Sequence, residues 1–405
     1  MAKKKSYENA ARAAAKKAVK NNPKAVIFAV IAILLIIAIA FCVLYFGFPN
    51  TWDNIVAKIT GDDEDNTQNV IIDPSLQLPE GKMEFADGEL SIHMLDVGQG
   101  DCLLILFPDG KDMIIDCANY NNTKDIKTET LNYLDKYVTD RELDYMMLTH
   151  CDSDHVYFMD EVIDKYQIKN IYMPNVLAEP DSETWKAEVA KLDDELLARF
   201  TDPDTISSAC YAEFFCAALT EPDCNVVLNV DDNENTNNIV IEGDGYSFTF
   251  YCPTKEYYRT TNLNNAEKKN AISPIGVLEY KEFRIVFTGD SNELNEPAFV
   301  RRIGGKLDCD LLKVGHHGSE TSSTEEFLDA ITCEYAIISC NAYGNKFDHP
   351  RQATLDRLVA RKTAIYRTDN NGNIVFVFNT DIKVYVETRV TQETNQKGLT
   401  GSSKT

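Results

Sequence analysis

Paired cysteine spacing is missing from this chain. It has eleven cysteines, yet none stands in a CxxC, which excludes a thiolate zinc knuckle read from spacing. Cys210, Cys216 and Cys224 are clustered without that spacing, and Cys151 reads as a packed spacer. Histidine is scarce, six in 405 residues, and none lies between His155 and His316. Basic residues are outnumbered, 40 Lys and Arg against 64 Asp and Glu, for a net charge of −24. Such a surface repels phosphate, so a nucleic-acid substrate would need a local basic lane or a bound cation to hold it. No internal repeat or low-complexity array is visible, which excludes a repeat architecture.

What is present begins with an apolar run. Ala25 to Phe48 carries no charge and is long enough to cross a bilayer core of roughly 30 Å. It is apolar on every face, which argues against a buried globular helix. It is too long for a signal-peptide core, and no small-residue cleavage site follows it. Lys3, Lys4, Lys5, Arg12, Lys16, Lys17, Lys20 and Lys24 precede it, opposed only by Glu8. That asymmetry keeps the amino terminus in the cytoplasm and puts the rest outside, as a single-pass protein of the cell membrane. Removing this basic segment leaves a remainder more acidic than the whole. Cys42 falls within the span and leaves an even number outside, compatible with disulfides in an oxidising compartment and equally with free thiols.

The expected organisation is a basic tail over 1–24, a transmembrane helix over 25–48, an acidic linker over 49–85, a folded domain over 86–388 and a polar tail over 389–405. Within the domain, Leu90 to Leu95, Cys102 to Phe107 and Met113 to Asp116 are β-rich runs, and Lys124 to Tyr137 is helical. Leu143 to Thr149 and Ile168 to Met173 are strands that flank a helix over Phe158 to Tyr166. A helical insertion occupies about 176–224. Strands resume at Val226 to Val230, Ile239 to Ile241 and Tyr246 to Cys252, then at Ile275 to Tyr280 and Phe283 to Thr288. Leu311 to Val314, Ala336 to Ser339, Ala364 to Arg367, Ile374 to Phe378 and Ile382 to Glu387 follow, with Asn371-Gly372 read as a hairpin turn. Thr388 to Thr405 reads as disordered. Two β-rich halves, each with helices, imply an α/β protein of two packed sheets flanked by helices, an αββα sandwich.

The chemistry concentrates at strand ends. His150-Cys151-Asp152-Ser153-Asp154-His155 packs two imidazoles and two carboxylates into six residues directly after an apolar run, and these are suitable donors for a divalent cation. One histidine beside an apolar run is more often a packed residue, but this density is not explained that way. Thr288-Gly289-Asp290 delivers a carboxylate after a glycine that permits a sharp turn. Val314-Gly315-His316-His317-Gly318-Ser319 delivers paired imidazoles, and Asp348-His349-Pro350 another. Ligands gathered from distant strand-end loops are how a pocket at a sandwich edge is assembled.

These segments carry a resemblance. Leu95-Asp96-Val97-Gly98-Gln99-Gly100-Asp101, Ile115-Asp116, the H-x-D-x-D-H loop, Thr288-Gly289-Asp290, Val314 to Ser319, and Arg367-Thr368-Asp369 with Gly372 together resemble the metallo-β-lactamase superfamily. Within it the chain looks most like the ComEC-like competence (DNA-uptake) branch, over about residues 89–388. The resemblance implies an αββα fold with a metal site at its edge and a hydrolase, in that branch a nuclease. His150 and Asp152 match the first metal pair, Asp154 and His155 the second, and Asp290 the carboxylate that bridges. His316 or His317 matches the late histidine, with His316 preferred; His349 and Lys313 are further candidates, although Lys313 alone reads as a solvated surface lysine. Asp96, Gln99, Asp101 and Asp116 are placed to hold ligands by hydrogen bonds.

The departures inform. Asp152 stands where much of the superfamily has histidine, and the usual middle histidine has no counterpart. The resulting oxygen-rich set suits one or two divalent ions, Zn²⁺ or Mn²⁺, with Fe²⁺ also tolerated. Tyr157-Phe158 stands where relatives carry a glycine pair and is expected to narrow the pocket mouth or alter the helix entry. Such ions activate water, and Asp154, or Asp152 if free of metal, orients that water as general base. The leading expectation is a membrane-anchored extracellular metal-dependent hydrolase acting on phosphodiester bonds of DNA or RNA. A hydrolase of small esters, lactones or nucleotides, and a catalytically weak binding protein at the cell surface, are the competing readings. Having one span, the chain cannot translocate DNA, and a role in uptake does not follow.

Overall fold

The computed structural model describes residues 75–398 apart from 122, 175–208, 229–239, 252, 254–256, 258–264 and 342–346. Its elements begin with β1 (Leu76–Gln77), β2 (Leu90–Met94), β3 (Cys102–Leu106), β4 (Asp112–Cys117), α1 (Lys124–Tyr137), β5 (Glu142–Leu143) and β6 (Tyr145–Met147). There follow α2 (Ser153–Val156), α3 (Met159–Lys165), β7 (Gln167–Ile168), β8 (Asn170–Met173), α4 (Ala209–Thr220) and β9 (Asn225–Leu228). The next group is β10 (Val240–Gly243), β11 (Tyr246–Tyr251), α5 (Ala266–Asn270), β12 (Ile275–Tyr280) and β13 (Phe283–Phe287). It continues through α6 (Glu296–Ile303), β14 (Leu307–Lys313), α7 (Glu325–Ala330) and β15 (Ile331–Ile338). The last elements are α8 (Gln352–Ala360), β16 (Ala364–Arg367), α9 (Thr368–Asn371), β17 (Ile374–Phe378), β18 (Ile382–Val386) and α10 (Gln392–Asn395).

Alternation within the strands builds the layers. Leu103, Ile105, Met113 and Ile115 of the first sheet face Phe248, Ile285, Leu311 and Tyr366 of the second, forming the core between sheets. Their neighbours Leu104, Ile114 and Met146 point the other way, against Leu134, Val162 and Phe214 of the helices. In the second sheet Val286, Leu312 and Ile338 likewise turn outward onto Phe299, Phe327 and Leu355. Period-two side chains that are apolar on both faces are what a strand sandwiched between layers requires. The expected αββα sandwich is thus the observed one.

The first sheet runs β1-β18-β17-β2-β3-β4-β6-β8-β9 and the second β10-β11-β12-β13-β14-β15-β16, with β5 and β7 as a separate pair. Strands β4, β6, β8 and β9 are mutually parallel, as are β13, β14, β15 and β16. The carboxyl ends of parallel strands therefore gather the loops after Asp116, Met147, Phe287, Lys313 and Ile338 along one edge, where ligands bind in open α/β sheets.

Five expectations meet a different outcome or fall outside the described residues. Asn371-Gly372 is no hairpin turn: β16 lies at an edge of the second sheet and β17 inside the first, so this segment carries the chain between sheets. The tail is not disordered over its first part. Gln392 donates to and accepts from the backbone of Ile365, at 3.1 and 2.8 Å, and Asn395 is fully buried. Polar side chains read as solvated instead pair the open edge of β16, which an exposed edge strand needs. Residues 75–85 of the expected linker include β1, which pairs in parallel with β18. The span over 25–48 and most of the helical insertion lie outside the described residues; α4 is the described part of the latter. Among the described residues no helix is long and apolar enough to cross a membrane, and the cysteines are all free thiols.

Gln392→Ala would leave the Ile365 N–H unpaired in a buried setting, while its C=O keeps the Asn395 amide at 2.8 Å, and the expected loss is about 1–3 kcal/mol, read as a lower urea midpoint at unchanged slope. The sixth histidine, His93, is buried in β2 between the Ser91 and Tyr133 hydroxyls at 2.9 and 2.8 Å. Burial pushes its imidazole down to about 3 from 6.5. The unfolded chain then takes up a proton that the folded one refuses between those values, so this contribution is whole above pH 6.5 and erodes as the pH falls. The wild type is expected to lose stability more steeply than His93→Gln across that window; parallel denaturation curves would refute the burial argument.

Candidate metal centre

The loop after β6 is anchored before it turns. Asp116, at the end of β4, accepts from the Thr149 backbone N–H at 2.8 Å and from the Thr149 hydroxyl at 2.7 Å. The same carboxylate accepts from His155 Nδ1 at 2.7 Å. Because a carboxylate only accepts, Nδ1 carries the proton and Nε2 presents its lone pair. The Thr149 hydroxyl, its proton given to Asp116, accepts from His150 Nδ1 at 3.1 Å. His317 Nδ1 donates to the Ser339 carbonyl at 3.0 Å. Three histidines are thereby held by Nδ1 with Nε2 turned toward one point.

Backbone geometry serves the same convergence. Gly289 adopts φ +49, and a Cβ there would lie 2.9 Å from the Thr149 side chain, so glycine lets the two sheets' strand-end loops touch. His316 and His317 both take left-handed φ, 48 and 51. Such residues cost about 1–3 kcal/mol each unless their surroundings compel them, and here the strand end and the contacts of both rings do so.

At the centre His155 Nε2 lies 3.2 Å from Asp290 Oδ1, and His150 Nε2 lies 3.8 Å from Asp290 Oδ2. His317 Nε2 is 3.4 Å from Asp154 Oδ2 and 3.8 Å from Asp290 Oδ1. The Nε2 atoms of His150, His155 and His317 and Oδ1 of Asp290 are buried without a hydrogen-bond partner. Lone pairs facing one another in a dry site repel unless a proton or cation stands between them. Among the described residues His155 belongs to three donor groups, each within 4.8 Å: His150-His155-Asp290 and Asp154-His155-His317 at the centre, and Asp101-Asp116-His155 behind them. The residues therefore fit a divalent cation, with His155 common to both central groups.

Electrostatics follow from this crowding. Burial opposes charge on Asp290, yet the adjacent His155, His317 and His316 hold it well below the usual carboxylate range. Burial likewise opposes the His155 imidazolium, but Asp290 and Asp116 raise its pKa well above the ordinary value. Burial works against Asp154 too, and the His317 hydrogen bond with the charge of His155 depresses it nonetheless. A cavity of about 580 Å³ opens over these groups, lined among others by Tyr120, Lys269, Asn270, Phe347 and Arg351.

The model of the Metallo-beta-lactamase superfamily matches residues 95–205. Over that stretch the chain is similar to the metallo-β-lactamase superfamily. It is 39% identical over 133 residues to competence protein ComA of Neisseria gonorrhoeae, covering 33% of this chain and 18% of that protein. It is 23% identical over 314 residues to ComE operon protein 3 of Bacillus subtilis (strain 168), covering 74% of this chain and 34% of that one. The chain thus spans from about a fifth to a third of the length of these relatives. Among solved structures, the metallo-β-lactamase fold protein YhfI from Bacillus subtilis aligns at 12% identity and a TM-score of 0.39, over 71% of this chain and 100% of its own.

Within the two-sheet domain the candidates sort by position. His150, Asp154, His155 and Asp290 come together with His317. His316, preferred from sequence, stands aside: its Nε2 is 3.8 Å from Asp290 Oδ2 and hydrogen-bonded to Asn270. Asp152 joins none of the donor groups; it is ion-paired with Lys269 and 3.6 Å from His150 Nε2. Lys313 is not a solvated surface lysine but is 2% exposed, paired with buried Asp101 at 2.7 Å. Asp101 in turn lies 3.4 Å from His317 Nδ1. Gln99 and His349 line the cavity, whereas Asp96 borders a separate cavity with Glu129 and Glu387. Asp96 therefore does not hold the ligands; it caps Gly98 in the preceding loop.

Tyr157 and Phe158 do not narrow the mouth. Phe158 is fully buried and Tyr157 packs on the same helix-side core. The segment without a histidine supplies Lys269, Asn270 and Ser273, all missed in the sequence because they show neither a helical nor a strand period. Thr149 and Ser339 were missed as well, since hydroxyl and carbonyl partners carry no sequence signal.

Asp116→Asn is expected to weaken Zn²⁺ binding by about 10–100-fold, the usual cost of removing a carboxylate behind a ligand histidine, in a calorimetric titration of a variant with unchanged circular dichroism. Wild-type affinity in that variant would sink the anchoring role of Asp116.

Proposed function

We propose that this chain is a metal-dependent phosphodiesterase, anchored by the apolar segment over 25–48 with its folded domain outside the cell. The observation that carries this reading is the set of buried, unpartnered Nε2 and carboxylate atoms converging below a cavity that also holds two cations. Lys269 and Arg351 line that cavity on a chain of net charge −24. A divalent cation bound beside Lys269 and Arg351 would offset the cavity's own carboxylates, Asp152, Asp154, Glu267, Asp290 and Glu320, and favour an anionic substrate over a neutral ester.

The donor set of imidazole and carboxylate suits Zn²⁺ or Mn²⁺, held by His150, His155, His317, Asp154 and Asp290. A divalent cation bound there would supply Lewis-acid activation of water and of a phosphoryl oxygen. Asp152 remains outside the donor groups and faces the cavity. Burial opposes its charge, but His150 and Lys269 depress its pKa, so it stays ionised to orient water and accept a proton at Oδ2. Lys269 neutralises Asp152 on the other oxygen and stands ready to meet a non-bridging phosphate oxygen.

The volume of the cavity, about 580 Å³, also accommodates a small ester, lactone or nucleotide, which keeps a small-molecule hydrolase as the second reading. A catalytically weak binding protein has less support, because the bulky pair Tyr157-Phe158 lies away from the cavity. The relatives' role in competence does not transfer, since the chain spans only part of each.

The test is cleavage of a phosphodiester substrate by the full-length chain loaded with Zn²⁺ or Mn²⁺, against Asp154→Ala. The variant is expected to lose at least about a hundredfold, the scale on which metal-site partners act. Equal residual cleavage, or a purified chain that takes up no metal, would overturn the reading.

A further inference from the structure

The segment Arg367-Thr368-Asp369 takes no part in the proposed chemistry, yet Thr368 is only 1% exposed. Strands β15 and β16 pair in parallel up to Ile338 and Arg367, and one residue further along stand Ser339 and Thr368. Beyond the ladder the Thr368 hydroxyl takes over the pairing. Its Oγ1 accepts from the Cys340 N–H at 3.0 Å and donates to the Cys340 carbonyl at 3.0 Å.

The Cys340 N–H and the Ser339 carbonyl belong to one peptide unit, which is planar and stiff and points the two groups in opposite directions. On the far side of that unit His317 Nδ1 donates to the Ser339 carbonyl at 3.0 Å. One stiff plane therefore runs from the Thr368 hydroxyl to His317, whose Nε2 lies 3.4 Å from Asp154 Oδ2. The Ser339 hydroxyl donates to the Gly100 carbonyl at 2.5 Å. That bond fixes where Ser339 sits, and the Thr368 bond fixes how its peptide plane is turned. Hydrogen bonds in series also polarise one another, so the Cys340 N–H bond makes the Ser339 carbonyl a better acceptor and His317 Nε2 a more basic ligand.

Thr368 is itself held in place. On its two sides Arg367 grips Asp369 through Nε and Nη2 at 3.0 and 2.6 Å, and both side chains are almost fully buried. Desolvation offsets much of the attraction in such a pair, so it contributes more to the direction of Thr368 than to net stability.

We propose that Thr368 is a positioning residue of the metal centre, acting through the Ser339–Cys340 peptide to aim and strengthen His317 as a ligand. The inference rests on the reading of the donor cluster as a metal site and is independent of the substrate. Full-length chain is titrated with Zn²⁺ for affinity and with Co²⁺, whose visible absorption reports its ligand geometry. Thr368→Val is expected to weaken Zn²⁺ about tenfold, the lower end of what ligand-orienting partners contribute, and to change the Co²⁺ spectrum. Thr368→Ser, which keeps the hydroxyl, is expected to match the wild type in both. Thr368→Ala, which sets no methyl against the Cys340 carbonyl, makes the same measurement should Thr368→Val not fold. Because the effect passes through His317, Thr368→Val added to His317→Ala is expected to change Zn²⁺ affinity less than about twofold.

Gln392→Ala separates positioning from stability, since it frees the Ile365 N–H on the same strand β16. It is expected to leave Zn²⁺ affinity and the Co²⁺ spectrum alone. An equal loss in Gln392→Ala, an unchanged spectrum in Thr368→Val and Thr368→Ala, or a further tenfold loss in the double variant would each overturn the proposal. If Zn²⁺ binds and these variants behave as the wild type, Thr368 loses its role and the phosphodiesterase reading stands. If they behave as expected but no phosphodiester is cut, the role of Thr368 stands and the phosphodiesterase reading falls.

Discussion

The carboxylate of Asp116 is the constraint from which the site follows. Its contacts with the Thr149 N–H, the Thr149 hydroxyl and His155 Nδ1 tie the end of β4 to the loop after β6. One carboxylate thereby sets the path of the loop, the tautomer of His155 and, through Thr149, the orientation of His150. Without it, the imidazoles would be free to turn their protons inward, and the lone pairs that converge on Asp290 would be lost. Asp116 itself holds a left-handed φ of 53, a cost that its three hydrogen bonds offset.

Around that anchor the molecule keeps like charges apart by pairing them across the two sheets. Asp290 arrives from β13 to meet His155 from the first sheet, and Asp101 after β2 meets Lys313 at the end of β14. Burying an unpaired Asp101 or Lys313 would be strongly unfavourable, so the pair also locks the two layers at the site edge. Lys269 plays the corresponding part for Asp152 at the cavity surface. An acidic chain has thus set Lys313 and Lys269 against its own carboxylates Asp101 and Asp152.

Local patterns were legible where one layer decides the outcome. Helix α1 and strands β12, β16 and β17 follow their apolar periodicity, because each residue's face is set by its immediate neighbours. The donor cluster His150 to His155 was legible by density alone. The choice between His316 and His317 was not, because adjacent residues on a left-handed turn point in unrelated directions and only the position of Ser339 turns His317 Nε2 toward Asp154. Polar segments were misread for a common reason. Gln392, Lys313 and Asn395 look solvated in sequence, yet each satisfies a buried group supplied by a distant element.

By itself, then, the amino-acid sequence determined the layered α/β architecture, the acidic character and most of the side chains that converge at the candidate site, since these depend on composition and short-range period. Tertiary structure alone decided that Asp152 pairs with Lys269 rather than joining the donors and that Tyr157 and Phe158 face the core. It also decided that Tyr120, Phe347 and Arg351 share a cavity with His317. The reason is physical: hydrogen-bond partners, ion pairs and ring stacks are fixed by the packing of strand ends from two sheets, and no period along one chain encodes which ends will meet.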